Sequence, residues 1–199
     1  MKFASISAGF VGALTALLFA AAPAPAAAQQ HDLHAAASAA RDSGAGQKHE
    51  TNALVALVRD ATERFRDVAV AEAEGYTLQF GCVSGPDYGA MGLHYVNLGL
   101  VGDGELDPTR PEIVIYEPKG NGRVSLIGAD FLVFAQDWHA KHTETPQIMG
   151  QLMHLFPSPN RFGLPAFYTL HVWAWKENPT GTFVNWHRNV SCDSHTPAR

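Results

Sequence analysis

The chain has little positive charge and few cysteines. Its 199 residues contain 14 Lys and Arg against 19 Asp and Glu, which gives a formal net charge of -5 at pH 7. A nucleic-acid-binding protein needs basic side chains to neutralise phosphates, so this acidic balance argues against nucleic acid as a partner. The two cysteines form no Cys-x-x-Cys pair, which removes a common thiolate metal motif.

Several catalytic signatures are also absent. No serine lies in a Gly-x-Ser-x-Gly motif, and no glycine-rich loop ends in Lys-Ser or Lys-Thr, so we expect no nucleotide cofactor. The chain has no His-x-His or HExxH pair either. The sequence therefore names no reaction, and it leaves open whether the protein is an enzyme.

The first 28 residues are typical of a secretory signal peptide. Lys2 precedes an apolar stretch rich in Ala, Gly and Ser that ends in small residues up to Ala28. A membrane anchor would need about 20 strongly apolar residues with charged flanks on both sides. We expect cleavage after Ala28 and a secreted or periplasmic protein with no membrane span in its mature form. We expect residues 29–50 to be a flexible leader and residues 51–199 to be a single domain. The sequence does not indicate the number of subunits.

Export changes what is expected of Cys82 and Cys192. Thiols in an oxidising compartment tend to pair, and this chain has only these two. We therefore predict a disulfide between Cys82 and Cys192, with two unpaired buried thiols as the alternative.

A helical pattern follows the leader. Apolar residues recur at spacings of three and four from Leu54 to Val68, and Gly75 ends the pattern. These spacings predict one long amphipathic helix. Glu72 falls one heptad after Phe65, on or beside the apolar stripe, where a carboxylate usually reaches the edge or pairs with Arg or Lys. The alternative is that Glu72 contributes to a site.

Beyond the helix, short apolar runs alternate with Gly, Pro, Asp and Asn, which is typical of strands and turns. Asn121-Gly122 marks a tight antiparallel hairpin. We predict an α+β domain in which the long helix packs on an antiparallel sheet of about five strands. The predicted strands are Tyr76 to Phe80, Met91 to Asn97, Glu112 to Glu117, Val124 to Phe134 and Phe167 to Trp175.

Four short runs together resemble one family. They are GAMGLHYVN from Gly89, LDPTRPE from Leu106, LHVWAWKENP from Leu170 and VSC from Val190. This combination is similar to a family of uncharacterised bacterial secreted (periplasmic) proteins, and the likeness covers most of Phe65 to Cys192. The resemblance implies export and a single domain, and it implies no reaction.

Two of the ten histidines, His94 and His171, lie in the middle of predicted strands. Both have apolar neighbours on the same strand face, so we expect them to be buried and to face one interior pocket. A buried imidazole needs partners for its ring nitrogens, which carboxylates or a metal supply. Glu117, at the end of the third strand, and Glu72 are available carboxylates, and His154 is a further candidate ligand.

This set allows two interpretations. In the first, His94, His171 and Glu117 bind a divalent transition metal (Zn, Cu, Ni or non-haem Fe), and His154 or Glu72 completes or orients the shell. In the second, the carboxylates hydrogen-bond the imidazoles and hold the strands in register without a metal.

Two other arrangements are candidate binding sites. Cleavage after Ala28 would create the terminus Gln29-Gln30-His31, and an amino-terminal X-X-His can wrap Cu(II) or Ni(II) in four nitrogens. Chance placement in a polar leader is the alternative. Trp173 and Trp175 are two residues apart on one predicted strand face, which indicates either a platform for a sugar or other small molecule or large core side chains. The remaining functional hypothesis is an envelope protein that binds no ligand.

Overall fold

A computed structural model describes residues 51 and 53–196. The predicted signal peptide, the leader and the candidate ligand His31 lie outside these residues. All of the described residues belong to one structural unit. Within them, no helix has the length and apolar character needed to cross a membrane.

The predicted long helix is interrupted. Helix α1 covers residues 53–62; a 3-10 turn, Glu63–Arg66, follows it, and then a second helix, α2, Val68–Ala73. The backbone is extended at Asp67, whose carboxylate accepts a hydrogen bond from the Ala69 amide and caps α2. The Phe65 carbonyl accepts a hydrogen bond from the buried Tyr116 hydroxyl. Capping and tertiary bonding thus override the helical periodicity.

The described residues contain eight strands and two further short helices. The strands are β1 (Tyr76–Gly85), β2 (Gly89–Asn97), β3 (Ile113–Gly120), β4 (Arg123–Phe134), β5 (Gln147–Ile148), β6 (Gln151–Leu152), β7 (His154–Phe156) and β8 (Phe167–Val172). Helix α3 is Leu98–Val101 and helix α4 is Ala135–His139. The five predicted strands correspond to β1 to β4 and β8. Strands β5 to β7 are too short to show a period in the sequence.

Six strands form one antiparallel sheet in the order β1-β2-β3-β4-β8-β7, and β5 pairs with β6 separately. The turn at Asn121-Gly122 joins β3 to β4 as predicted, with positive φ angles of 54° and 72°.

The predicted fold class, a long helix on a five-stranded sheet, is wrong. The structure is sheet-rich, and its six-stranded sheet curls into a half-barrel. Register shifts break the pairing between Gln79 and Cys82 on β1 and between Ile115 and Tyr116 on β3. Such bulges bend a strand and increase its twist, which promotes curvature that an apolar pattern does not reveal.

The two faces of the sheet have different partners. On the outer face, α1 buries Leu54 and Val58 against apolar side chains of β4 and β8, among them Phe131, Val133 and Leu170. The inner face carries Ile113 and Ile115 of β3, Leu132 of β4 and Phe167 of β8. The histidines of interest lie on this inner face.

Candidate metal centre

His94 is on the inner face of β2 and only 7% exposed. Its Nδ1 lies 3.3 Å from the carbonyl oxygen of Gly92. Gly92 has a φ of 92°, and a Cβ there would lie 2.6 Å from the Tyr116 carbonyl oxygen. The close approach of β2 to β3 beside His94 therefore requires glycine.

Asp130 and His171 are direct partners in the pairing of β4 with β8. Directly paired residues project from the same face of a sheet, so both side chains enter the interior of the half-barrel. The His171 Nδ1 atom lies 3.5 Å from the Asp130 Oδ1 atom, and both side chains are almost fully buried. The Thr169 hydroxyl donates a hydrogen bond to the same carboxylate oxygen.

These three side chains form what we call the His-Asp cluster: His94, Asp130 and His171. One donor atom from each lies within 4.8 Å of the other two, and all three residues are buried. The prediction that His94 and His171 meet in one interior pocket agrees with this placement. A buried group of this composition could hold a metal ion.

Burial sets the charge of the cluster. It lowers the pKa of His94 to about 4, with a further contribution from His171. It lowers the pKa of His171 to about 3, with the neighbouring His154 acting in the same direction and Asn185 against it. Burial raises the pKa of Asp130 to about 6, although the Thr169 hydrogen bond opposes this shift. Near pH 7 the cluster thus offers two neutral imidazoles and a carboxylate, the forms that bind metals.

His171 has no hydrogen-bond partner for either ring nitrogen among the described residues. An unpaired polar atom in an apolar interior costs about 1 to 3 kcal/mol. The Asp130 carboxylate, at 3.5 Å, is too distant to satisfy the ring well. The Asn185 side chain is near enough to raise the pKa of His171, but neither Asn185 nor Asp130 makes a hydrogen bond of good geometry to the ring.

Glu117 is not in the cluster. Burial would raise the pKa of Glu117, but hydrogen bonds from Lys119 and Lys176 hold it below its usual value. Glu117 lies four residues along β3 from Ile113, the residue that pairs with Asp130, a separation of about 13 Å. Asp130 therefore occupies the position predicted for Glu117.

The other two candidate ligands are also outside the cluster. Glu72 is exposed on α2. It contributes, after burial, to the raised pKa values of Tyr95 and Tyr116, which pack on the outer face of the sheet. His154 begins β7 opposite Thr169, and its side chain is exposed. It is close enough to the cluster to affect the pKa of His171. It is a neighbour of the site, outside the group of three converging donors.

The sequence-based prediction omitted Asp130, because it lies within a predicted strand of mostly apolar residues and no local motif marks it. One signal could have identified it. An aspartate in the middle of a 12-residue strand is costly to bury unless it has a partner, and Asp130 is 3% exposed.

An apolar cavity of about 200 Å³ adjoins the cluster inside the half-barrel. The side chains of His94, Asp130, Thr169 and His171 are part of its wall, and Gln79 is the remaining polar side chain there. Aromatic and aliphatic side chains make up the rest, including Ile113, Leu132, Phe134, Phe156, Phe162, Leu164 and Phe167. The cluster is therefore placed where a small molecule could reach it.

Phe80 lines this cavity and is 51% exposed, which places it at the rim. Its φ angle is 60°, and its ring packs edge-on to Phe162 at 5.4 Å between centroids. A bulky residue with a positive φ is a genuine outlier, and such residues concentrate at functional sites. Phe80 lies in the β1 bulge that precedes Cys82.

The disulfide expected between Cys82 and Cys192 is present. It joins β1, immediately after the bulge, to the C-terminal segment. The same segment supplies His187, which is fully buried and exchanges backbone hydrogen bonds with Ala90 of β2.

Trp173 and Trp175 do not form a common platform. Strand β8 ends at Val172, so the predicted two-residue alternation does not reach them. Trp173 packs with the apolar side chains of the inner face and donates its indole N–H to the Val184 carbonyl. Trp175 is part-buried on the outer side and donates its N–H to the Thr62 hydroxyl of α1.

The fold and the site define a half-barrel protein with two buried histidines and one buried aspartate beside an apolar cavity. Comparison with known proteins finds no matching family model, no matching curated protein and no matching solved structure.

Proposed function

We propose that this protein binds one divalent transition-metal ion through His94, Asp130 and His171. The observation that carries the proposal is the convergence of three buried donor atoms, from His94, Asp130 and His171, within 4.8 Å of one another. The His171 ring, beside Asn185, makes no hydrogen bond of good geometry among the described residues. An ion would satisfy two imidazoles and a carboxylate together, each of which is costly to bury alone.

The donor set narrows the choice of metal. Two histidines with one carboxylate and open positions suit non-haem Fe(II), and three protein ligands plus an open position suit catalytic Zn. Metal–ligand bonds of about 2.0 to 2.2 Å place neighbouring donor atoms about 3 to 3.5 Å apart. The donors of the cluster lie within 4.8 Å of one another, so closure on an ion needs side-chain movements on the order of 1 Å.

A metal-free network explains the cluster less well. In that arrangement Asp130 would bond both imidazoles, yet its Oδ1 atom already accepts the Thr169 hydroxyl. The His94 Nδ1 atom is directed to the Gly92 carbonyl, and no described group makes a hydrogen bond of good geometry to His171, although Asn185 lies nearby. An ionised carboxylate only accepts hydrogen bonds, so Asp130 cannot satisfy the unprotonated nitrogen of either neutral imidazole.

Metal uptake by untagged mature protein tests the proposal. After treatment with chelator and titration with Zn(II), we expect one tightly bound ion per chain by calorimetry and elemental analysis. His171→Gln should abolish this binding, and Asp130→Asn provides a second, nearly isosteric test if His171→Gln folds poorly. His31→Gln is the control, since it removes only the amino-terminal X-X-His arrangement. Tight binding retained in His171→Gln and Asp130→Asn but lost in His31→Gln would contradict the interior site.

We also propose that the protein is exported, as its resemblance to a secreted family implies. The signal-peptide pattern before Gln29 and the Cys82–Cys192 disulfide both support export, because disulfides persist in oxidising compartments. Expression in a bacterium followed by fractionation and mass spectrometry tests this. A cytoplasmic product that retains residues 1–28 would contradict it.

A further inference from the structure

We propose that the cavity beside the cluster binds a small apolar molecule with one anionic oxygen head group, held with the head at the metal ion. The molecule would have about ten non-hydrogen atoms, as an arylacetate does. This inference rests on the metal site proposed above and adds the class of ligand to it.

The size and lining of the cavity favour a compact apolar tail. An engineered apolar cavity of about 150 Å³ holds benzene, and this one measures about 200 Å³. Its walls hold five phenylalanines (Phe80, Phe134, Phe156, Phe162 and Phe167) together with aliphatic side chains. The polar side chains in the wall are those of Gln79, Thr169 and the cluster itself. A sugar would leave most of its hydroxyl groups without partners here.

Charge balance favours an anionic head. The bound ion contributes two positive charges and the Asp130 carboxylate one negative charge, while the imidazoles are neutral as ligands. One positive charge therefore remains beside an apolar cavity whose lining includes no Asp or Glu other than Asp130. A monoanionic oxygen head group would neutralise it and occupy an open coordination position.

Because the positive charge comes from the ion, binding of an anion should depend on the metal. Without the ion, no cationic side chain is available to an anionic head, because no Lys or Arg lines the cavity. An anion buried in an apolar cavity without a partner of opposite charge is unfavourable.

Phe80 lies at the exposed edge of the cavity. It is in the strained part of β1, and its ring packs on that of Phe162, which also lines the cavity. Removing the Phe80 ring would widen the exposed edge of the cavity without changing the cluster. We therefore expect Phe80→Ala to raise the association and dissociation rates of the ligand.

Phenylacetate is the probe, tested on zinc-loaded, untagged mature protein by calorimetry and ligand-observed NMR. Phenylacetamide has the same size without the charge, and acetate has the charge without the tail. We expect phenylacetate to bind at least tenfold more tightly than either, and at least tenfold more weakly to the zinc-free protein.

A pair of matched variants localises the binding. Leu164→Trp fills the cavity from its wall, whereas Leu155→Trp places the same ring at an exposed position on β7. Leu164→Trp should abolish phenylacetate binding and keep one zinc ion per chain, while Leu155→Trp should change neither.

The outcomes separate the two proposals. If one zinc ion binds but phenylacetate does not, or binds no better than phenylacetamide, the ligand class is wrong and the metal site stands. If phenylacetate binds equally well without zinc, the head group is not at the metal and the inference fails. If no zinc binds in the interior, the proposed function itself fails.

Discussion

The rings of His94 and His171 lie edge to face, with centroids 5.8 Å apart and planes at 76°. Their strands, β2 and β8, are not neighbours, because β3 and β4 lie between them. Three strand spacings in a flat sheet would separate them by about 14 Å. The contact therefore depends on the curl of the sheet, which is what assembles the candidate metal centre.

Asp130→Asn should separate metal binding from stability. The amide nearly preserves the shape of Asp130 and can still accept the Thr169 hydroxyl, but it carries no charge. At pH 8 we expect the metal-free variant to melt at the same temperature as the wild type or higher, because a neutral group is less costly to bury than a carboxylate. Zinc affinity should fall at least a hundredfold. Thermal melts with and without zinc measure both effects, and a variant that zinc stabilises as much as the wild type would contradict the role of Asp130.

Gly92→Ala should destabilise the protein by about 2 to 4 kcal/mol, through backbone strain and a steric clash. The new Cβ would lie 2.6 Å from the Tyr116 carbonyl oxygen, and the φ of 92° is unfavourable for alanine. Gly122→Ala is the matched control, since its φ is 72° but no atom lies within 4 Å of the added Cβ. We expect it to cost only about 1 kcal/mol. Urea unfolding compares the two, and equal losses would show that the clash is unimportant.

Reduction of the Cys82–Cys192 disulfide should lower the free energy of unfolding by up to about 4 to 5 kcal/mol, because the bond closes a loop with a sequence separation of 110 residues. Chemical unfolding with and without reductant measures this. The double variant Cys82→Ala/Cys192→Ala should resemble the reduced protein and be insensitive to reductant. A midpoint unchanged by reduction would indicate that the bond does not constrain the unfolded chain.

Glu112 should make stability fall as pH rises. Its side chain is 2% exposed and accepts a hydrogen bond from the Leu132 amide. Burial raises the pKa of Glu112 to about 8, with smaller contributions from Asp130 and Asp103, and Tyr76 is a further titratable neighbour. Between about pH 4.5 and 8 the unfolded chain has released this proton while the folded protein keeps it. Rising pH through this window therefore favours unfolding.

Glu112→Gln is neutral at every pH and keeps an acceptor for Leu132. Compared with the wild type, its unfolding free energy should decline less steeply between pH 5 and 8, by up to about 1.4 kcal/mol per pH unit. Urea unfolding of metal-free protein across this range measures the difference. Parallel pH profiles for wild type and variant would mean that Glu112 does not titrate in this window.

Part of the site could be predicted from local pattern. The strand periodicity around His94 and His171 indicated that both are buried, since alternation determines which side chains share a face. The same alternation predicts which face of β4 carries Asp130, but it does not predict that His171 is the residue opposite Asp130. The face of β4 that carries Asp130 meets His171 only because β8 pairs with β4 in the observed register.

The features that depend on neighbouring residues could be predicted from local patterns: the buried mid-strand histidines, the Asn121-Gly122 turn and the approximate positions of β1 to β4. Long-range contacts account for the break in the helix at Asp67, for the place of Asp130 beside the histidines and for the pairing of Glu117 with lysines. These outcomes depend on strand order, bulges and curl, which arise from contacts between residues distant in the chain. A local period carries no information about those contacts, because it describes one strand at a time.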